Sequence, residues 1–262
     1  MNQYNHWILE ENLPIATLML NRPDTMNNMT METLFELRDV SNYLGGRSDI
    51  WVVIVQGQGE HFSSGVDPSV FTERLESSTE DMRNLVHHQQ RCLDAFAALE
   101  KVTIAKLHGF CIGGGLLLAV SCDFRIASKR TIFSLPEVRL GIPILWGTNR
   151  ITRLVGTAGA KEMIMLGKRY RAHEALKMGM VHQVVPEDEL ERRVKALAER
   201  FLNLPPRTVG IAKRLIDMGF NLSMEESQAL ELETLEELLD SPDLREAVMS
   251  YTEKRAPVFT GE

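Results

Sequence analysis

Two glycine-containing segments are places where the backbone itself could bind a developing negative charge. One is Phe62-Ser-Ser-Gly65-Val66-Asp67, and the other is Ile112-Gly113-Gly114-Gly115, which lies between two apolar stretches. Glycine has no Cβ and lets the backbone approach a ligand closely. The first N–H groups of a helix have no intrahelical partner and lie at the positive end of its dipole. Three interpretations follow: a phosphate site, an oxyanion hole for an enolate, or a tight strand-to-helix junction without a ligand.

Other nucleotide and nucleophile motifs are absent from the sequence. No Lys follows the glycine triplet as it would in a P-loop, and the GxGxxG fingerprint does not occur. These absences disfavour nucleoside-triphosphate enzymes and dehydrogenases. Ser63 and Ser64 lie outside any GxSxG elbow, so a serine hydrolase is weakly supported.

The candidate polar groups are one carboxyl group, which could act as a general base, and a pair of histidines. Glu137 follows Leu135-Pro136, where a lone Glu is ordinarily a solvated or capping residue. If it instead faces an apolar pocket, its pKa would rise and suit a general base. His87 and His88 are adjacent in a predicted helix, so at most one of them can face a pocket.

The elements that would position these residues form an α/β pattern. Residues 51–56 and 102–107 are nearly continuous apolar runs, typical of strands buried on both faces. A helix is predicted over 79–99, and from about residue 144 the chain is mostly helical. Thr30 is the expected N-cap of a helix that ends near Leu44, but Thr33 replaces the Glu or Gln of a full capping box.

Composition narrows the class of protein. The chain has 262 residues and a formal net charge of −7, which argues against nucleic-acid or anionic-membrane partners. Its three cysteines form no CxxC pair, so we expect neither disulfides nor a metal site. We see no signal peptide, no apolar run of membrane-spanning length and no peroxisomal C-terminus, and we expect a cytoplasmic protein.

The sequence resembles the crotonase (enoyl-CoA hydratase/isomerase) superfamily along almost its whole length. The resemblance is carried, in order, by LNRPDTMNNMT, FSSGVD, KLHGFCIGGGLLLAVSCDFRIAS, FSLPEVRLGI, GKRYRAHEALKMGMVHQVV and EKRAPVF. It implies a crotonase/ClpP-like α/β spiral of ββα units over residues 1–200. It also implies a helical C-terminal region over 201–262 that mediates homotrimers, often paired as dimers of trimers.

The resemblance also implies catalytic roles. The N–H groups of Val66 and Gly114 would bind the thioester oxygen, and Glu137 matches the second of the two glutamates of the family's hydratases. The first of them would stand at Leu117, so this sequence retains only one. A single carboxylate with an oxyanion hole suits proton transfer without water addition, as in the family's Δ3,Δ2-enoyl-CoA isomerases. Leu117, Trp146 and His88 are the expected substrate-pocket residues.

Coenzyme A is expected as part of the substrate, an acyl-CoA, with no permanently bound cofactor. The resemblance implies contacts from two groups of residues. The first group lies in the early turn and the first glycine loop: Thr25, Asn27, Asn28, Ser63 and Gly65. The second group is Lys254 and Phe259 in the C-terminal tail, which in the family sometimes reaches a neighbouring subunit.

Other functions stay open at this point. Hydratase-like chemistry, or C–C hydrolysis, C–C lysis or decarboxylation of an acyl-CoA, would also use an oxyanion hole. A non-catalytic protein that binds CoA esters is favoured by Leu117 and disfavoured by Glu137.

Overall fold

A six-stranded sheet forms the centre of the computed structural model, which describes residues 4–70, 72 and 77–262. Its strand order is β1-β2-β3-β4-β6-β9, and only β1 runs antiparallel to its neighbour. The strands are β1 Trp7–Asn12, β2 Ile15–Leu20, β3 Val52–Gly57, β4 Val102–Leu107, β6 Phe124–Ser128 and β9 Gln183–Val185.

A second, three-stranded sheet lies beside the first and carries much of the site. It contains β5 Phe110–Ile112, β7 Ile132–Ser134 and β8 Arg169–Arg171, in the order β5-β7-β8. Strands β5 and β7 are parallel, with Ile112 paired to Ser134. Because parallel neighbours end at the same edge, the segments that follow β5 and β7 must emerge side by side.

The described helices alternate with the strands and then continue alone toward the C-terminus. They are α1 Met31–Gly45, α2 Thr79–Ala97, α3 Gly114–Val120, α4 Thr148–Leu166, α5 Ala172–Lys177, α6 Glu187–Phe201, α7 Pro206–Gly219, α8 Met224–Leu238 and α9 Pro242–Glu253. Two 3₁₀ turns, Pro23–Thr25 and Glu137–Leu140, lie in segments that bear on the site.

The middle strands of the main sheet, β3 and β4, are buried on both faces. Val53 and Val55 of β3 belong to a core shared with α1, α3 and α4, whereas Val52 and Ile54 belong to a second core under α6. Successive side chains of a strand point to opposite faces, so a strand between two cores must be apolar throughout. This confirms the buried strand predicted over 102–107 and places the strand predicted over 51–56 at Val52–Gly57.

One local expectation was wrong. Thr33 does complete a capping box: its hydroxyl accepts from Thr30 N at 3.2 Å, and Thr33 N donates to Thr30 Oγ1 at 3.3 Å. A threonine hydroxyl can accept here as the carboxylate of a Glu would. The expectation that the chain is mostly helical from about residue 144 is confirmed, with β8 and β9 as two three-residue strands among the helices.

None of the described helices combines the length and the apolarity needed to cross a lipid bilayer. Within the described ranges no group of His, Cys, Asp and Glu side chains could hold a metal ion. The division of the chain near residue 200 stays a prediction.

Candidate active site

Three loops meet where β3, β5 and β7 end. Ser63, in the loop after β3, forms a parallel bridge with Cys111 of β5, and Ile112 N donates to Ser63 O at 3.0 Å. Gly113 N donates to Ser134 O, the last residue of β7, at 2.8 Å. These backbone bonds bring the first glycine loop, the glycine triplet and the Glu137 turn together.

The two expected oxyanion donors, the N–H groups of Val66 and Gly114, are unpaired within the described part of the chain. Met29 N donates to Gly65 O and Asp67 N donates to Met29 O, so the bridge to Met29 uses the neighbours of Val66. Gly114 is the first residue of α3 and has no acceptor within its own helix. Among the described residues neither the Val66 N–H nor the Gly114 N–H has a hydrogen-bond acceptor. Both are therefore available to a ligand oxygen.

The close approach of the loops requires glycine at two positions. Gly65 has φ +99°, and a Cβ there would lie 2.8 Å from Ile112 O and 3.3 Å from Gly114 N. Gly113 has φ +53°, and a Cβ there would lie 2.8 Å from Glu137 Oε1. Both values of φ are unfavourable for other residues, and both side chains would occupy space that the site already uses.

Glu137 lies at the centre of the cleft, in an apolar environment. The cleft has a volume of about 840 Å³ and is lined by Ser64, Gly65, Val66, Pro68, Thr72, Met82, Ile112, Gly113, Pro136, Glu137, Leu140, Gly141, Ile142 and Leu145. Glu137 is the one ionisable side chain among these described residues. Its Oε2 is buried without a hydrogen-bond partner in the described part of the chain. Burial raises the pKa of this carboxyl above its ordinary value, as a general base for a weakly acidic C–H requires.

Leu117 does not line the cleft, but it shares a small void with Glu137. This void has a volume of about 20 Å³, and its other walls are formed by Val66, Ile142, Pro143, Ile144, Leu145 and Trp146. Leu117 is 1% exposed and packs so tightly that a Cβ on Gly147 would lie 2.1 Å from its Cδ2. A Cβ on Gly114 would lie 3.3 Å from Trp146 Cη2, so the indole covers the start of α3.

Comparison with known proteins identifies the family of this chain. The sequence profile described as enoyl-CoA hydratase/isomerase matches residues 10–262. The chain belongs to the enoyl-CoA hydratase/isomerase family. It is therefore a crotonase-superfamily enzyme, and CoA thioesters are the substrates of that family.

Individual relatives agree with this membership over nearly the full length of the chain. The short-chain-enoyl-CoA hydratase of Clostridium acetobutylicum is 35% identical over 255 residues, which cover 97% of each chain. The crotonyl-CoA hydratase of Syntrophomonas wolfei is 33% identical over 258 residues, covering 98% of each. The crystal structure of enoyl-CoA hydratase from Bacillus anthracis has a TM-score of 0.90 and 30% identity, covering 98% of this chain and 100% of that one. All three are named hydratases, so their names do not support a preference for isomerisation.

In this member of the family, the side chains of the early turn are largely engaged within the protein. Asn27 is fully buried, and its amide accepts from Arg22 N and donates to Gln58 O and His61 O. Asn28 donates to Asp67 Oδ2 at 2.6 Å and accepts from Thr25 Oγ1 at 3.0 Å. Thr25 is exposed. The backbone of Asn27 is engaged as well, because its N–H donates to Arg22 O at 2.8 Å and its carbonyl accepts from Ser63 Oγ at 2.7 Å.

Ser63 lies under the cleft rather than in it. It is fully buried, its Oγ donates to Asn27 O at 2.7 Å, and it accepts from Gly65 N at 3.1 Å. A Cβ on Gly115 would lie 2.5 Å from Ser63 Cβ. Ser63 thus supports the loop from below, whereas Gly65 lines the cleft directly.

The C-terminal tail lies near the start of β3, whereas the cleft lies where β3 ends. Lys254 is exposed, and beyond it Thr260 N and Gly261 N donate to the Asp243 carboxylate. A Cβ on Gly261 would lie 3.1 Å from Trp51 Nε1, just before β3 begins. A six-residue strand spans about 20 Å, so the region around Gly261 is remote from the cleft of its own chain. The CoA contacts of Lys254 and Phe259 stay a prediction.

His88 is not a pocket residue, which corrects the sequence-based expectation. It is exposed on α2, and its ring makes an edge-to-face contact with Phe35 at 6.2 Å. The side chain that α2 contributes to the cleft is Met82. The direction of this helix face depends on how α2 packs against α1, and the sequence alone does not reveal it.

Sequence reasoning missed the wall formed by the segment after Glu137. Leu140, Ile142 and Leu145 line the cleft, and Leu140 is 59% exposed. A signal was available, because several large apolar side chains in a loop between a 3₁₀ turn and a helix are unusual unless they cover a ligand.

Proposed function

We propose that this enzyme is a Δ3,Δ2-enoyl-CoA isomerase in which Glu137 alone moves the proton. The observation that supports this most is the pairing of one buried, unpartnered carboxyl group with an apolar Leu117 across a small void. Hydration needs one group to activate water and another to handle the α-proton. Isomerisation needs only one base and a stabilised dienolate.

The proposed reaction consists of two proton transfers. The Glu137 carboxylate removes a proton from C2 of a 3-enoyl thioester, and the electron pair moves into the thioester carbonyl to give a dienolate. The N–H groups of Val66 and Gly114 stabilise the resulting oxyanion. Protonated Glu137 then delivers the same proton to C4, the double bond shifts to C2–C3, and the carboxylate is regenerated.

The void beside Glu137 disfavours a bound nucleophilic water. A buried water requires at least about 10–15 Å³ and two to four polar partners. The void, at about 20 Å³, is just large enough. Among the side chains lining it, however, only Glu137 and the Trp146 indole carry polar groups. A water there would meet no second carboxylate to act on it.

The decisive experiment offers purified enzyme separate 3-enoyl-CoA and 2-enoyl-CoA substrates. Double-bond migration is followed by ultraviolet absorbance of the conjugated thioester, and water addition by mass spectrometry. We expect migration to dominate. Glu137→Gln should lower it by roughly 10²–10⁴-fold while a saturated acyl-CoA still binds. Undiminished migration in that variant would refute the role of Glu137.

Enoyl-CoA hydration is the second candidate, because the relatives described above are named hydratases. Water addition at a rate comparable to migration would favour it and would require a second acid–base group outside position 117. C–C cleavage and decarboxylation are less supported, since His88 does not reach the cleft. Binding without any turnover would support a non-catalytic role.

We also propose that the chain assembles as a homotrimer or a dimer of trimers through its C-terminal helices. Large apolar side chains are exposed there, including Ile216 at 71%, Phe220 at 69% and Met224 at 76%. Several large apolar side chains exposed in one region of a chain are a feature of protein interfaces. Sedimentation velocity at several concentrations tests the proposal, and a monomer throughout would contradict it.

A further inference from the structure

The early turn at residues 22–29 and the first glycine loop at residues 63–67 are hydrogen-bonded into one unit. Ser64 N donates to Met26 O at 2.9 Å, Met29 N to Gly65 O at 2.8 Å, and Asp67 N to Met29 O at 2.9 Å. Because Met29 bonds to the residues on either side of Val66, it leaves the Val66 N–H facing away from the turn. The direction of this N–H therefore depends on where the turn holds Met29.

The Asp67 carboxylate ties the same two segments together through its side chain. Its Oδ1 accepts from Ser69 N at 2.9 Å and from Ser69 Oγ at 2.6 Å. Its Oδ2 accepts from Asn28 Nδ2 at 2.6 Å and lies 3.7 Å from Arg22 Nη2. One carboxylate oxygen thus bonds within the loop, to Ser69, and the other contacts Asn28 and Arg22 of the turn. The hydrogen bonds from Ser69, with further help from Arg22 and Asn28, lower the pKa of Asp67, so the group is ionised at neutral pH.

The turn itself is a rigid anchor. Met26 and Asn27 have φ values of +55° and +53°, which cost free energy in residues other than glycine. Three hydrogen bonds of the buried Asn27 amide hold this conformation against the backbone of Arg22, Gln58 and His61. A strained turn that is fixed in this way can transmit a definite position to the loop that it contacts.

We infer that Asp67 is a positioning residue that sets the oxyanion hole by tying the Val66 loop to Arg22 and Asn28. This inference rests on the proposed role of the Val66 N–H as an oxyanion donor. Asp67 does not line the cleft and acts only through the backbone next to it. Since the turn at Thr25 to Asn28 is also where CoA contacts are expected, substrate binding and oxyanion stabilisation would share one structural unit.

Asp67→Asn tests the inference selectively. An Asn oxygen can keep both Ser69 hydrogen bonds, but its NH₂ would then face Asn28 Nδ2 and Arg22, which are donors as well. The ion pair with Arg22 is lost, and the bond to Asn28 survives only if the Asn28 amide flips, while the size of the side chain is kept. Asp123→Asn is a matched control outside the cleft, directly before β6. The Asp123 carboxylate accepts from Thr103 N and Thr103 Oγ1, both at 2.8 Å, and pairs with Lys213 at 3.1 Å.

Two measurements separate positioning from loss of fold. We expect Asp67→Asn to lower kcat by roughly 10–100-fold, since misplacing one donor should cost less than the 10²–10³ of removing it. The Kd of butanoyl-CoA should stay within about threefold. Affinity for acetoacetyl-CoA, followed by the absorbance of its enolate, should fall in parallel with kcat. Asp123→Asn should lose comparable thermal stability but keep its kcat.

Three results would overturn the inference: an unchanged kcat in Asp67→Asn, an equal kcat loss in Asp123→Asn, or a collapse of butanoyl-CoA binding. The last would make Asp67 a binding residue. The measurements do not depend on the isomerase proposal, because kcat is taken on whichever enoyl-CoA reaction the wild type catalyses. Enolate binding by acetoacetyl-CoA likewise needs no double-bond shift.

Discussion

Replacing Gly65 by alanine should separate catalysis from stability. The residue has φ +99°, and an added Cβ would lie 2.8 Å from Ile112 O, well inside the 3.4–4 Å of an ordinary contact. The two nearest atoms, Ile112 O and Gly114 N, both belong to the backbone, so no side-chain rotation can relieve the contact. The first glycine loop must therefore shift by about half an ångström or more relative to the second, which moves the Val66 N–H away from the Gly114 N–H.

The magnitude follows from two contributions. Positive φ in alanine costs roughly 1–3 kcal/mol of stability. Loss of one oxyanion donor costs about 10²–10³ in kcat, and a displacement of about 1 Å costs about 10². We therefore expect Gly65→Ala to lose roughly 10²-fold in kcat, and to lose it equally on 2-enoyl- and 3-enoyl-CoA, because both reactions pass through the same oxyanion.

Gly156→Ala is the matched control. Gly156 has φ +71° in the middle of α4, and a Cβ added there would have no other atom within 4 Å. It carries the strain without the collision and lies outside the cleft. Steady-state kinetics and thermal unfolding of both variants form the assay. A kcat for Gly65→Ala within threefold of wild type, or an equal loss in Gly156→Ala, would refute the reasoning.

Four further predictions concern Glu137, Leu117 and Asn27. Turnover should rise with pH through the raised pKa of Glu137, because the base must be ionised; a pH–rate profile without this limb contradicts it. The folded state binds that proton more tightly than the unfolded state, so ionisation destabilises the fold. Glu137→Gln should therefore gain stability over wild type at pH 8 and lose the advantage below about pH 4, the ordinary range for Glu, in urea titrations. Leu117→Glu should introduce measurable water addition and lower the melting temperature, whereas Leu117→Met should not add water. Absence of hydration in a folded Leu117→Glu would count against the argument that hydration needs a second carboxylate at position 117. Asn27→Ala loses three hydrogen bonds and should cost about 3 kcal/mol of unfolding free energy, and a loss under 1 kcal/mol would mean that the turn is held by its backbone alone.

Some elements were readable from the sequence because their signals are local. The run Val102–Leu107 is apolar at every position but two, and its strand has the predicted bounds. The helix predicted over 79–99 is found at Thr79–Ala97. Strands β5 and β8 have three residues each and were not predicted, since such short strands are defined by their partners rather than by their own composition.

The candidate site divides in the same way. The glycine loops and the lone Glu137 could be named from the sequence, because glycine at a strand-to-helix junction and a missing second carboxylate are visible in the residue types. Which side chain of a helix faces the cleft could not be read from the sequence. His88 was expected in the pocket, and the packing of α2 directs Met82 there instead.

The sequence by itself determined the chemical inventory of this protein: two loops able to present backbone N–H groups, one carboxyl group and an apolar residue at position 117. Only the tertiary structure decided that these parts meet. The parallel pairing of β5 with β7 and the bridge from Ser63 to Cys111 bring three distant segments to one edge. Burial of Glu137 and the tie from Asp67 to the early turn arise from that convergence. Both depend on contacts between residues far apart in the chain, which local sequence patterns do not encode.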